Sequence, residues 1–162
     1  MTTVVIGVGN DFRGDDGAGL AVVRSLRGLS LGGAEFVELN NELSGLLESL
    51  QACDAAIIVD AVKSGAQPGT IHRLDAGEKP LPGNRSQRST HGISLSSLLE
   101  LARVQGTFPR HVLVFGIEGR DFAHTNALTP EVKKAVDRVV SIVQAELSGI
   151  EVEIRGRPSP KK

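Results

Sequence analysis

The sequence predicts an α/β protein built on one mixed five-stranded sheet, in which four strands run parallel and one antiparallel. Three observations carry this. Up to Asp60, apolar runs of strand length alternate with segments of helical periodicity, the pattern of a parallel sheet. Only residues 61–68, including Gly65 and Pro68, separate the third and fourth strand-like runs, whereas a parallel crossover takes about a dozen residues or more. A chain of 162 residues is also close to the size of one domain, enough to bury about two-thirds of its unfolded surface around a single core.

The elements follow in order. Residues 4–9 form an apolar run ending in glycine, which reads as a strand buried on both faces. From Asp16 the spacing becomes helical, with Leu20, Val23 and Leu26 on one side and Gly28 as a stop. Residues 34–39 are expected as the second strand, 43–50 as a short helix and 55–60 as a third, buried strand. The antiparallel strand falls at 69–74. A polar stretch over 75–90, with two prolines and two glycines, is too long for a simple connector and reads as a mobile loop or lid. A helix over 93–104, a fifth strand over 111–117 and a long amphipathic helix over 130–147 complete the domain, with Pro130 in the first turn and Thr129 as cap. The domain is assigned to residues 1–150. Residues 151–162 form a C-terminal extension, with 150–155 extended and the Arg-Gly-Arg-Pro-Ser-Pro-Lys-Lys end disordered.

Composition narrows the function classes. A formal net charge of -1 and the absence of Tyr and Trp argue against a nucleic-acid partner. No apolar run approaches the roughly 20 residues that span a bilayer, and the N-terminus enters residues 3–7 without the basic start and long apolar stretch of a signal peptide. The single cysteine, Cys53, cannot form an internal disulfide and suits a reducing compartment. The expected location is the cytoplasm, with no membrane partner.

Ligands of open α/β sheets gather outside the carboxyl ends of the parallel strands. That rule groups Asn10, Asp15 and Asp16 after strand one, Asp60 at the end of strand three, and Glu118, Asp121 and His124 after strand five. Cys53 and His111 fall at the opposite edge, and His72 within the antiparallel strand reads as a surface or packing residue. The first loop, GVGNDFRGDDGAG over residues 7–19, superficially resembles a dinucleotide cradle. Phe12 occupies the place of that motif's third glycine, and Asp15 and Asp16 would repel phosphates at the helix N-terminus, so a cation or polarised peptide suits it better. Helix capping is the competing account of the two acids, and the expected division is one cap and one functional carboxylate. Asp16 and Asp60 can meet in one crevice, and His91, in Ser89-Thr90-His91-Gly92, can add a third donor to a divalent metal with open positions. Taken alone, a histidine in such a place is more often a surface or capping-region residue.

The loop GVGNDFRGDDGAG, the segment IIVDAV at 57–62 and the segment STHGISL at 89–95 together resemble the hydrogenase maturation endopeptidases, over roughly residues 3–147. The resemblance implies a three-layer sandwich with a twisted sheet, of the phosphorylase/hydrolase-like kind. It also implies a protease without a serine or cysteine nucleophile, which trims the C-terminal extension of a nickel-iron hydrogenase large-subunit precursor. Carried over by motif, the metal-contacting residues are Asp16, Asp60 and His91, with Asp16 or Asp15 orienting water or polarising the bond. The nickel is expected to arrive with the substrate, and no organic cofactor is implied. This chain departs from the family at residues 40–45, Asn-Asn-Glu-Leu-Ser-Gly where an Asp-Gly-Gly-Thr-like stretch is frequent, and at Gly119, where proline is common. The alternatives are a non-catalytic metal- or protein-binding maturation factor and another hydrolase on the same fold, such as a peptidyl-tRNA hydrolase.

Overall fold

The computed structural model describes residues 2–40, 43–79 and 94–156. Strands β1 (Thr3–Gly9), β2 (Ala34–Asn40), β3 (Ala55–Val62), β4 (Ile71–Asp75) and β5 (His111–Glu118) form one sheet in the order β2-β1-β3-β5-β4. β1 pairs in parallel with β2 and β3, and β3 in parallel with β5. β4 pairs antiparallel with β5, as the short connection from β3 requires.

Alternation along the buried strands creates two cores. On one face Val5, Ile57, Val59, Leu113, Phe115 and Ile117 meet helices α1 (Ala18–Gly28) and α4 (Pro130–Arg155). On the other face Val4, Ile6, Val8, Ile58, Val112 and Val114 meet α2 (Ser44–Gln51) and α3 (Leu95–Val104). Successive side chains point to opposite faces, so a continuous apolar run serves both layers. The result is the expected three-layer sandwich. No described helix is long and apolar enough to cross a membrane.

One expectation changes. The segment 150–155, expected to be extended, belongs to α4. Ile150, only 9% exposed, continues the apolar stripe of Val136, Val139, Val143 and Leu147 into the core, and burying it outweighs the helix-weakening Gly149 beside it. The polar stretch expected over 75–90 begins as a turn, in which Asp75 Oδ1 accepts from Gly77 N at 2.9 Å and buried Ala76 N donates to Val112 O at 2.8 Å. Residues 80–90 of the expected lid lie outside the described residues, as does Ile93 at the expected start of α3. Ser94 caps that helix, its hydroxyl accepting from Ser97 N at 3.2 Å.

A glycine contact sets how α1 meets the sheet. A Cβ on Gly19 would lie 2.3 Å from Val59 O and 2.6 Å from Val8 O, and one on Gly7 would lie 2.4 Å from Gly19 O. Glycine at both positions lets the first turn of α1 rest on the backbone of β1 and β3. Gly19→Ala is expected to destabilise the protein by roughly 2–4 kcal/mol, because backbone must yield. Gly28→Ala, where a Cβ would meet nothing within 4 Å, should be neutral or stabilising by up to about 1 kcal/mol. Urea unfolding of both variants checks the pair, and equal effects would refute the contact's importance.

Candidate functional site

After β1 the chain doubles back. Arg13 N donates to Asn10 O at 3.2 Å, Asp16 N to Arg13 O at 3.1 Å and Asn10 N to Asp16 O at 3.3 Å, which returns Asp16 to the end of the strand it left. A 3-10 turn over Gly14–Gly17 then leads into α1. The expectation that one acid caps this helix is not met: Gly17 holds the cap position, and no side chain bonds there.

Asp15 does something else. Its carboxylate is 0% exposed and accepts from Arg120 N at 2.8 Å, Asp121 N at 3.0 Å, Thr129 N at 2.7 Å and the Thr129 hydroxyl at 2.9 and 3.0 Å. Backbone bonds reinforce the join, from Gly14 N to Thr125 O at 2.7 Å and from Asp15 N to Asp121 O at 2.9 Å. Asp15 therefore staples the first loop to the segment linking β5 to α4. The sequence-based role of Asp15 as a water-orienting carboxylate is corrected on this ground: both oxygens are engaged and neither opens on solvent. Thr129 stands just before α4, its carbonyl accepting from Lys133 N at 2.9 Å, but its hydroxyl is committed to Asp15.

Asp16 and Asp60 flank a crevice defined by topology. Chain order runs from β1 out to β2 and back across to β3, so the gap between β1 and β3 is the switch point of the sheet. Pairing of β1 with β3 ends at Gly7↔Val59, while β5 follows β3 to Val62↔Glu118. Asp60 is thus the first β3 residue beyond the β1 pairing, and it shares the gap with the loop that carries Asp16.

Both residues are half-buried. Burial raises the Asp16 pKa, partly offset by the charge of Arg13 and the Asn10 backbone. Burial, then the neighbouring Asp16 charge, pushes Asp60 up to about 8 despite the Ala61 N–H. Two carboxyls that resist joint ionisation form a place where a cation relieves both desolvation and repulsion. No group of three metal-ligating side chains is assembled among the described residues. His91, the third expected ligand, lies outside them.

The remaining polar residues sort by edge. Glu118, 1% exposed, accepts from Ser64 N and Oγ at 2.7 Å, Gly65 N at 3.1 Å and His72 Nε2 at 3.1 Å. Burial alone would raise its pKa, but the Ser64, His72 and Gly65 bonds hold it below the ordinary value. It secures the β3–β4 connection. His72 is its partner, a role that spacing along the sequence could not reveal. Asp121 Oδ1 accepts from Ala123 N at 2.9 Å, and His124 is exposed nearby. Cys53 lies at the opposite edge beside Leu50 O, and burial pushes its thiol up to about 11. His111 starts β5 at that same edge, opposite Ala55. Gly119 N donates to Val62 O at 2.9 Å, a bond that a proline could not make.

A family model described as hydrogenase maturation protease matches residues 37–146, a span containing Asp60 and His91 but not Asp16. The chain is 30% identical over 157 residues to the hydrogenase 2 maturation protease of Escherichia coli, covering 93% of this chain and 94% of that one. It is 27% identical over 159 residues to the hydrogenase expression/formation protein HupD of Thiocapsa roseopersicina, covering 95% and 71%. Its fold is similar to that of the hydrogenase maturating endopeptidase HybD from E. coli, with a TM-score of 0.78, 26% identity and coverage of 92% and 93%.

The site generates two predictions. Asp15→Ala strips the acceptor from several buried donors and should cost roughly 3–5 kcal/mol, and Asp15→Asn should also destabilise because its amide presents a donor to donors. Urea unfolding measures both, and an isosteric Asn at parental stability would contradict the staple. For Asp60, folded protein keeps its proton to about pH 8, whereas an unfolded aspartate releases it near pH 4. Its stabilising contribution is complete below the unfolded pKa and is lost as pH rises through the folded one. With metal chelated, stability should fall between about pH 4 and pH 8 on this account, and Asp60→Asn should flatten the decline. Unfolding midpoints across that range, unchanged in slope by the substitution, would remove Asp60 as the cause.

Proposed function

The chain belongs to the hydrogenase maturation protease family and is an endopeptidase of hydrogenase maturation, and we propose that it removes the C-terminal extension of a nickel-loaded hydrogenase large-subunit precursor. The observation that carries the reading is the pair of half-buried acids, Asp16 and Asp60, set on either side of the β1/β3 switch point. Their mutual repulsion makes a divalent ion the natural visitor. A metal already held by the precursor would bring the scissile bond with it.

In this reading Asp16, Asp60 and His91 complete the shell of the substrate's nickel. His91 is assigned by motif, within STHGISL. The chemistry is hydrolysis: a water oxygen adds to the peptide carbonyl, the C–N bond breaks, the new amine takes a proton and the carbonyl side leaves as a carboxylate. Asp16 or Asp60 accepts the proton released by the water, a role open to a carboxyl that faces the crevice and closed to Asp15. Asp15 serves the reaction indirectly, by holding the loop on which Asp16 sits. Cys53 is excluded as nucleophile by its edge and its raised pKa. The cytoplasm, where a precursor would be folded and metallated, is the proposed location.

Incubation with nickel-loaded large-subunit precursor should shorten it at the C-terminus, read by intact-mass spectrometry. His91→Ala should reduce cleavage by at least about a hundredfold while leaving the unfolding midpoint unchanged. Near-parental cleavage by that variant would remove His91 from the site. Tight binding of the precursor without any mass loss would favour the non-catalytic reading.

A further inference from the structure

Building on that proteolytic reading, we propose that Phe12 is a docking residue of the enzyme, the contact for an apolar side chain of the precursor segment that crosses Asp16. Among the described residues the large exposed hydrophobics are Phe12, Leu29, Leu74, Leu101, Val104 and Val152. Leu29 follows the end of α1, Val104 ends α3 just before the connection to β5, and Val152 lies near the end of α4, whose Glu153 approaches His111 at the start of β5. These three belong to the edge opposite the acids. Leu74 lies within the edge strand β4, opposite Val114, and Leu101 near the end of α3. Phe12, 68% exposed, is the one at the carboxyl edge, in the same turn as Asp16.

The loop around it is fastened on both sides. On one side Arg24 grips Asp11 through two bonds, at 2.9 and 2.7 Å, while also bonding Glu38 of β2 at 2.6 Å. On the other, Gly14 and Asp15 are tied to residues 120–129. Asn10 Oδ1 accepts from Phe12 N at 2.9 Å and shapes the tip between them. The backbone that carries this ring is pinned on both sides, so contact with the ring costs little further backbone entropy and removes apolar surface from water. The partner chemistry follows from the ring and its place: an apolar side chain of the chain segment whose peptide bond lies at the acids. The position where a dinucleotide cradle would carry glycine is thereby occupied by a contact for a peptide.

The test measures cleavage and binding of the nickel-loaded precursor by the full chain and by Phe12→Ala, Phe12→Leu and Val104→Ala. Phe12→Ala is expected to raise KM and the precursor's Kd by about tenfold with kcat within about twofold, Phe12→Leu to recover most of the loss, and Val104→Ala to match the parent. All variants should keep the parental urea midpoint. Phe12→Ala with unchanged KM and Kd overturns the inference while leaving the proteolytic reading intact. A Phe12→Ala defect confined to kcat, or one that Phe12→Leu does not relieve, overturns it as well. A parent chain that neither binds nor cleaves the precursor overturns both.

Discussion

The buried carboxylate of Asp15 is the interaction on which the geometry of the site depends. It joins two segments more than a hundred residues apart in sequence, the loop after β1 and the connection from β5 into α4. A carboxylate removed from water is tolerated only when its oxygens are met by donors, and here the backbone of Arg120, Asp121 and Thr129 supplies them together with a hydroxyl. The adjacent residue, Asp16, can then hold a half-buried position that its own charge disfavours. Stability stored in one acid thus supports the strained electrostatics of its neighbour.

The second constraint is close packing between backbone and backbone. Gly7 and Gly19 bring α1 onto β1 and β3, where any side chain would push it away. Because β1 stops pairing with β3 at Val59, the crevice begins where that contact ends, and Asp60 is the first residue beyond it. The raised pKa of Asp60 and the approach of Asp16 are two aspects of one arrangement. Two carboxyls so placed are unfavourable as a pair of anions and become favourable once a cation enters.

Different layers of this were legible to different degrees. The strands and most helices could be read from periodicity because the two cores draw on alternating residues of the same apolar runs. The direction of β4 followed from chain length alone, since residues 61–68 cannot span a crossover. The end of α4 could not be read locally: the amphipathic pattern was followed only to Leu147, and burial of Ile150 against the core carries the helix onward. Glu118 could be placed after strand five at the carboxyl edge, but nothing in the linear order joined it to Ser64 and His72. For the first loop, composition identified its acidity and residue type excluded a phosphate cradle. Neither helix cap nor water-orienting carboxylate describes Asp15, because the donors that claim its side chain lie more than a hundred residues away.

By itself, then, the sequence determined the α/β class, the antiparallel strand, the edge at which the acids gather and the sign of the charge they present. These are properties of spacing, length and residue type, which act over a few residues and survive without knowledge of the fold. Tertiary structure alone decided which acid is sealed inside and which stands half-buried at the switch point, that burial and then the Asp16 charge raise the pKa of Asp60, and that Phe12 stands in water on a pinned loop beside them. Those outcomes rest on desolvation, Coulomb interaction and hydrogen bonding between segments far apart in the chain, and such forces have no value until the segments meet.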